Sequence, residues 1–296
     1  MVPSSNILDF RQVLHDSKNI VAVVGAGVSA ASGIPTWRDS DGIWTAYDPA
    51  KLATPQAFTA NPSLVWQHYH ALRDRALAAV PNPAHLALAL LCIPDLLRGI
   101  APLAKFTLVT QNIDGLDALA LERTIESYRA GRGNGDTCEA SRLYEMHGRV
   151  LDTLCTSCDR RQCDRTSPLC PALASSSLRT AGDEIHSKDL PRCLHCGGLL
   201  RPGVVWFDEV PHHLREIWEV VDHADLCLLI GTSSQVQPAA AYAYEVVDHG
   251  GKVAVFNLEQ SVDDDHCEFL FLGPCAETLP AVLFGNEPGH ALSQGE

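Results

Sequence analysis

The sequence predicts an α/β protein, a parallel sheet covered by helices on both faces, joined to a second and smaller metal-binding module. Two observations carry this reading. Short apolar runs, each closed by small or polar residues, alternate with helical patterns, as buried parallel strands and their crossovers do. Two C-x-x-C pairs then lie within a stretch that breaks the alternation.

The strand candidates are Asn19–Gly25, Lys105–Asn112, Ala224–Ser234 and Gly251–Glu259. Helical patterns fall between them, over His85–Leu97 and Leu214–Val221. The runs end in Gly25-Ala26-Gly27, Gln111-Asn112, Gly231-Thr232-Ser233 and Asn257, and ligands of open parallel sheets sit beyond such carboxyl ends. Ile34–Pro83 has no obvious strand, and Leu151–Leu200 holds most of the clustered cysteines. Together these two regions form the smaller module.

A chain of 296 residues, 46% apolar and 20% charged, can bury a sizeable core. Its net charge of −14 argues against nucleic-acid binding, which needs clustered Lys and Arg. An acidic surface favours cationic partners such as lysine-rich segments, although solubility alone explains it as well. No apolar run approaches the length that crosses a bilayer. The amino-terminal residues read as neither a signal peptide nor an Arg-rich transit sequence. With 11 cysteines and no secretion signal, a reducing cytosolic or nuclear compartment is expected, and a mitochondrial pool is left open.

Gly25-Ala26-Gly27-Val28-Ser29-Ala30 satisfies G-x-G-x-x-[GA] directly after a strand. Such glycines let backbone approach a pyrophosphate at a helix N-terminus, although a simple tight turn has the same composition. The next convincing strand begins only near Lys105, so an ordinary dehydrogenase fingerprint is incomplete. Cys155, Cys158, Cys193 and Cys196 have the spacing of a closed, structural tetrahedral zinc site. Cys163 and Cys170 lie between the knuckles and are possible substitutes. His147 stands between the strand-end cluster and the knuckles, where a neutral imidazole suits proton abstraction. Gln111, Asn112 and Asp114 put two amides and a carboxylate at a strand tip, suited to a carboxamide ligand or to an Asx-type turn.

These blocks together resemble the sirtuin family of NAD-dependent protein-lysine deacylases. GAGVSAASGIPTWR, TQNIDGL, HG, the paired C-x-x-C, RPGVVWFDE, GTSS-x-VQP and FNLE occur in the family's order between about Asn19 and Leu283. LLRPGVVWFDE, GTSSQVQPAA and LGPCAETLP are most similar to the class III, desuccinylase-type branch. The resemblance implies a discontinuous Rossmann-like NAD-binding domain over 1–37, 83–148 and 201–296, and a zinc-binding and helical module over 38–82 and 149–200. It implies that Gly25, Ala26, Gly27, Ser29, Thr36 and Arg38 hold the phosphate side of NAD. Gln111, Asn112 and Asp114 then line the nicotinamide and ribose pocket. Gly231, Thr232, Ser233, Asn257, Glu259 and Cys275 hold the adenosine half.

The same resemblance makes His147 the general base, with Asn112 and Asp114 beside it. The products are nicotinamide, O-acyl-ADP-ribose and free lysine. Acylated-lysine proteins, basic tails such as histones among them, are the implied partners, with no nucleic acid and no membrane. Val205, Trp206, Phe207 and Glu209 would offer a strand edge to the substrate. Protein ADP-ribosylation and a non-catalytic NAD-sensing scaffold are the competing readings.

Class III members read an acidic acyl group with a Y-x-x-R pair beside a small residue. Here Ala53 and Tyr69 match, but Leu72 holds the arginine position, and leucine cannot replace a bidentate guanidinium. Arg73, one residue on, either reaches the pocket from the i+4 position or faces solvent. A wide, more apolar pocket for neutral acyl groups is the other expectation. Trp37 replaces a loop phenylalanine, and Asp117 stands where a histidine commonly follows Q-N-I-D. Arg129–Arg142 and Asp159–Pro191 read as inserted surface loops.

Overall fold

Among the described residues, nine strands divide between two sheets. In the computed structural model, residues 2–36, 49–132, 140–174, 184–260 and 266–285 are described. The larger sheet comprises β1 (Asn19–Val24), β2 (Lys105–Thr110), β3 (Arg142–Glu145), β7 (Leu226–Ile230), β8 (Lys252–Asn257) and β9 (Phe269–Leu272). Their order is β3-β2-β1-β7-β8-β9, and every pairing is parallel. The smaller sheet is antiparallel, with β4 (Gly148–Cys155) between β5 (Arg161–Cys163) and β6 (Leu200–Val204).

Hydrophobicity on both sides explains the large sheet. β1 and β7 are buried almost end to end, as strands covered on both faces must be. On one face Phe10 packs edge-on against Phe256, Phe269 and Phe271, with centroids 5.8, 5.5 and 5.3 Å away. On the other, Ile217, Val221, Tyr242 and Val246 cover Val21, Cys227 and Val253. Phe10 lies on the helix Ile7–Asp16, which starts where the Asn6 side chain caps the Leu8 and Asp9 amides.

The chain leaves β1 for β2 and β3 on one side, and builds β7, β8 and β9 on the other. The topological switch point is therefore the β1/β7 boundary, where such sheets open a crevice. A third core, containing Phe58, Trp66, Tyr69 and Trp206, joins the helix Pro62–Ala78 to the small sheet.

Three expectations need correction. The Gly-rich turn is followed by two short 3₁₀ turns, Ala26–Val28 and Ala30–Ser32, and not by an α-helix. The first inserted loop is in part regular, since the helix Leu116–Arg132 runs into it and β3 begins at its end. The second contains β5, and its Leu173, Ile185 and Leu190 are buried, so it contributes core. Trp37 and Arg38 lie outside the described residues.

Candidate active site

The floor of the site is backbone packed on backbone. The Gly25 amide donates to the Ile230 carbonyl at 2.9 Å, and the Gly27 amide donates to the Gly231 carbonyl at 2.8 Å. A Cβ on Gly25 would lie 2.7 Å from the Gly231 oxygen, and Gly231 itself has φ +61°, so neither position admits a side chain. The two turns thus close-pack at the switch point, where open parallel sheets bind their ligands.

Thr232 links the ends of β2 and β8. Thr232 Oγ1 accepts from Gln111 Nε2 at 3.2 Å, and the Thr232 carbonyl accepts from Asn257 Nδ2 at 2.9 Å. Cys275 Sγ donates to the Phe256 carbonyl at 3.6 Å. Ser233 is half-buried beside Thr232, and Glu259 is exposed just beyond β8.

A second network lies one layer deeper. Asn112 Nδ2 donates to the Gly25 carbonyl at 3.1 Å and to Ser29 Oγ at 3.3 Å. Ser29 Oγ also faces His85 Nε2 at 3.3 Å. The Asn82 amide donates to His85 Nδ1, so Nδ1 is the acceptor and Nε2 carries the hydrogen. Burial pushes the His85 pKa down to about 4, which keeps that ring neutral. The Ser29 hydroxyl hydrogen is then free for the Asp114 carboxylate, whose pKa burial raises and the Leu116 amide and Ser29 bonds pull back. Thr36 is half-buried beyond these turns.

Sequence reasoning missed His85. Its signal is Asn-Pro-x-His at a helix start. Asn82 caps the helix Pro83–Leu91, His85 completes the capping box, and Asn82 Nδ2 reaches the Val28 carbonyl and Ser32 Oγ.

His147 sits between the two sheets. Its Nδ1 lies 2.9 Å from the Gln111 carbonyl, which can only accept, so Nδ1 holds the hydrogen and Nε2 keeps its lone pair. Burial lowers its pKa, His212 adds to that, and the Gln111 bond partly opposes it. The ring is therefore a neutral base at pH 7. Gly148 follows it at φ +73°, where a Cβ would meet the Gly203 oxygen at 2.4 Å.

Val205, Trp206, Phe207 and Glu209 are held by backbone bonds, though not as a regular strand. The Val205 amide donates to the His147 carbonyl, the Phe207 amide to the Ala53 carbonyl, and the Glu209 amide to the Trp206 carbonyl. Glu209 accepts the Trp206 amide and both terminal nitrogens of Arg201, whose guanidinium lies 3.5 Å from the Trp206 ring centroid. Among the described residues, no backbone hydrogen bond takes up the Val205 and Phe207 carbonyls or the Asp208 amide.

Tyr69 is buried, and its hydroxyl oxygen accepts from Trp206 Nε1 at 2.8 Å. Ala53 and Leu72 pack beside it, partly buried. Arg73 corrects both expectations made for it. It is wholly buried, and its guanidinium donates to the Val150, Asp164 and Thr166 carbonyls at 2.9, 2.6 and 3.1 Å.

Cys155, Cys158, Cys193 and Cys196 are not disulfide-bonded, and their sulfurs all lie within 4.8 Å of one another. Cys155–Cys196 and Cys158–Cys193 are 3.4 and 3.8 Å apart. Tetrahedral zinc with bonds of about 2.3 Å separates its sulfurs by about 3.8 Å, so the donor set fits that ion. As free thiols the four share their hydrogen bonds unequally, the Ser157 amide helping to lower Cys155 while neighbouring sulfurs push Cys158 and Cys196 up. Cys163 and Cys170 stay outside the cluster among the described residues.

The family model described as "Sir2 family" matches residues 25–238. The chain belongs to the Sir2 family. It is 42% identical over 295 residues to the dog protein named NAD-dependent protein deacylase sirtuin-5, mitochondrial, covering 97% of this chain and 88% of that one. It is 38% identical to an NAD-dependent protein deacylase of Pyrococcus abyssi, covering 94% of this chain and 96% of that one. A solved Sir2 homologue in complex with NAD superposes with a TM-score of 0.75 at 31% identity, covering 96% of this chain and 95% of that chain. The same overall fold thus serves a relative solved with NAD.

Proposed function

We propose that this sirtuin chain is an NAD-dependent protein-lysine deacylase, and that His147, Asn112 and Asp114 are its reactive set. One observation carries the reading: a histidine fixed in the Nδ1-H tautomer by the Gln111 carbonyl, next to the Asn112–Ser29–Asp114 network at the switch point. NAD, when bound, supplies a ribose carbon whose bond to nicotinamide breaks and which the acyl oxygen can attack. Gly25, Gly27 and Gly231 leave room for its phosphates, while Thr232 and Asn257 hold the adenosine half. Asn112 and Asp114, held through Ser29 and His85, orient the nicotinamide ribose. His147 Nε2 takes a hydroxyl proton, and its lowered pKa keeps it able to do so at neutral pH. The carbonyls of Val205 and Phe207 receive the substrate backbone. The four thiolates hold one structural zinc that has no open position for chemistry.

Acylated-lysine proteins are the proposed substrates, and the net charge of −14 suits basic tails such as those of histones. The vertebrate relatives are named as mitochondrial, and residence there joins the cytosol and nucleus as a proposal. Among the described residues, no helix is long and apolar enough to cross a membrane.

The test is nicotinamide release from NAD with a panel of acyl-lysine peptides, read with mass spectrometry of the peptide. His147→Ala should lower kcat by about 10³-fold, in the range of a lost general base and its positioning. The acid limb of kcat/KM should fall below pH 6.5, because protonation of a base with a lowered pKa removes activity only there. Release of nicotinamide with labelled protein and intact acyl groups would point to ADP-ribosylation instead.

A further inference from the structure

We infer that the acyl pocket of this chain selects uncharged acyl groups and excludes acidic ones. The inference rests on the deacylase reading and names its substrate class. The pocket wall is located by contacts already described. Trp206 follows the residue that binds the His147 carbonyl, Ile113 follows Asn112, and the Ala53 carbonyl holds the Phe207 amide. Ala53, Leu72 and Ile113 are partly buried against the cluster that contains Tyr69 and Trp206. An apolar wall therefore starts where the imidazole and the Asn112 amide end.

Among the described residues, Leu72, Arg73, Arg201 and His68 stand where they would set the charge of that wall, and each leaves it without a free cation for a separate reason. Leu72, three residues along the helix and so on the same face as Tyr69, is hydrocarbon. Arg73 is buried, with its two terminal nitrogens held by three carbonyls of the small module. Arg201 lies over Trp206, but both its terminal nitrogens are paired with Glu209. His68 lies edge-on to Tyr69 with centroids 5.2 Å apart, and burial lowers its pKa to about 4, so it is neutral at pH 7.

What remains polar is the phenol. Its oxygen already accepts the Trp206 indole N–H, so its hydrogen is the group left to meet a ligand, and burial pushes its pKa up. A carboxylate entering this wall would be stripped of water against one neutral donor, and an unpaired buried carboxylate is strongly disfavoured. An uncharged chain meets no such penalty and gains apolar contact with Leu72, Ile113 and Ala53.

The experiment changes charge alone. One lysine peptide is made with a succinyl group and with its neutral isostere, the succinamyl group, beside acetyl and butyryl versions. kcat/KM is measured with NAD at pH 7.5, and peptide Kd is measured in parallel by calorimetry. The succinamyl peptide should exceed the succinyl peptide by about 100-fold, the size of an uncompensated charged-group contact. Leu72→Arg, its fold checked by zinc content, should reverse the preference, since a guanidinium would then face Tyr69. A wild-type ratio of about three or less would overturn the proposal, as would an unchanged ratio in folded Leu72→Arg. Should Leu72→Arg not fold, the wild-type ratio decides. Should no peptide release nicotinamide, the deacylase reading fails by itself, and the ratio of the two Kd values still decides the charge preference.

Discussion

The two halves of the site are held by opposite means. At the mouth of the large sheet, turns meet backbone to backbone, and Gly25, Gly27 and Gly231 leave no space for a Cβ. Beneath them lie six hydrogen-bonded strands and two hydrophobic faces, so stability is spread over many small contributions. The small module has three strands and one hydrophobic cluster, and a few polar pins add to their hold. These are the four sulfurs, Arg73 on three carbonyls, Trp66 Nε1 on the Leu200 carbonyl at 2.8 Å, and Ser63 Oγ on the Ile185 amide at 2.8 Å. The lesson is that a distributed half should lose stability gradually under mutation, whereas a pinned half should fail at single residues.

The largest expected effect tests the pins. Cys193→Ser, or a strong chelator, should release the metal, whose binding contributes about 10 kcal/mol in structural sites. Deacylation should fall by at least about 100-fold. Hydrogen exchange should rise across β4, β5 and β6 while β1, β2, β7 and β8 stay protected. Equal loss of protection in both sheets would break the comparison.

Arg73→Met comes next. It strands three carbonyls in the interior, which should destabilise the module by about 3 kcal/mol. Because the guanidinium faces the module, KM should change by the same factor for succinyl and acetyl peptides. A selective rise for succinyl would return Arg73 to the acyl pocket.

The smallest effect belongs to the large domain and has the opposite sign. Asp117 is buried, and burial raises its pKa from 3.8 to about 6, with the Thr110 hydroxyl partly opposing that rise and Glu145 adding repulsion. Between those values the folded state binds more protons than the unfolded one. Stability therefore falls as pH rises through that window, by on the order of 2 kcal/mol from this group. Asp117→Asn should flatten that slope in denaturant titrations at pH 4, 6 and 8. An unaltered slope would remove Asp117 as its source.

What was legible in the sequence follows the same division. Strands covered on both faces must be continuous apolar runs, and close backbone approach must be glycine, so the sheet's middle and its turn could be read directly. Paired thiolates need fixed spacing, so the four-cysteine cluster could be read too. β3 and β9 are four-residue strands at the sheet's two edges, too short to carry a periodic pattern. Arg73 could not be read, because its role depends on carbonyls of residues 150, 164 and 166, far along the chain. His85 was hidden because its meaning lies in a tautomer set by the Asn82 amide, which no composition reveals.

Residue 147 joins two tasks that enzymes often divide between separate bodies. Its ring hangs from the Gln111 carbonyl, and its own carbonyl anchors the Val205 amide of the peptide rail. A substitution that shifts the backbone at position 147 would therefore displace the imidazole and the Val205 segment together.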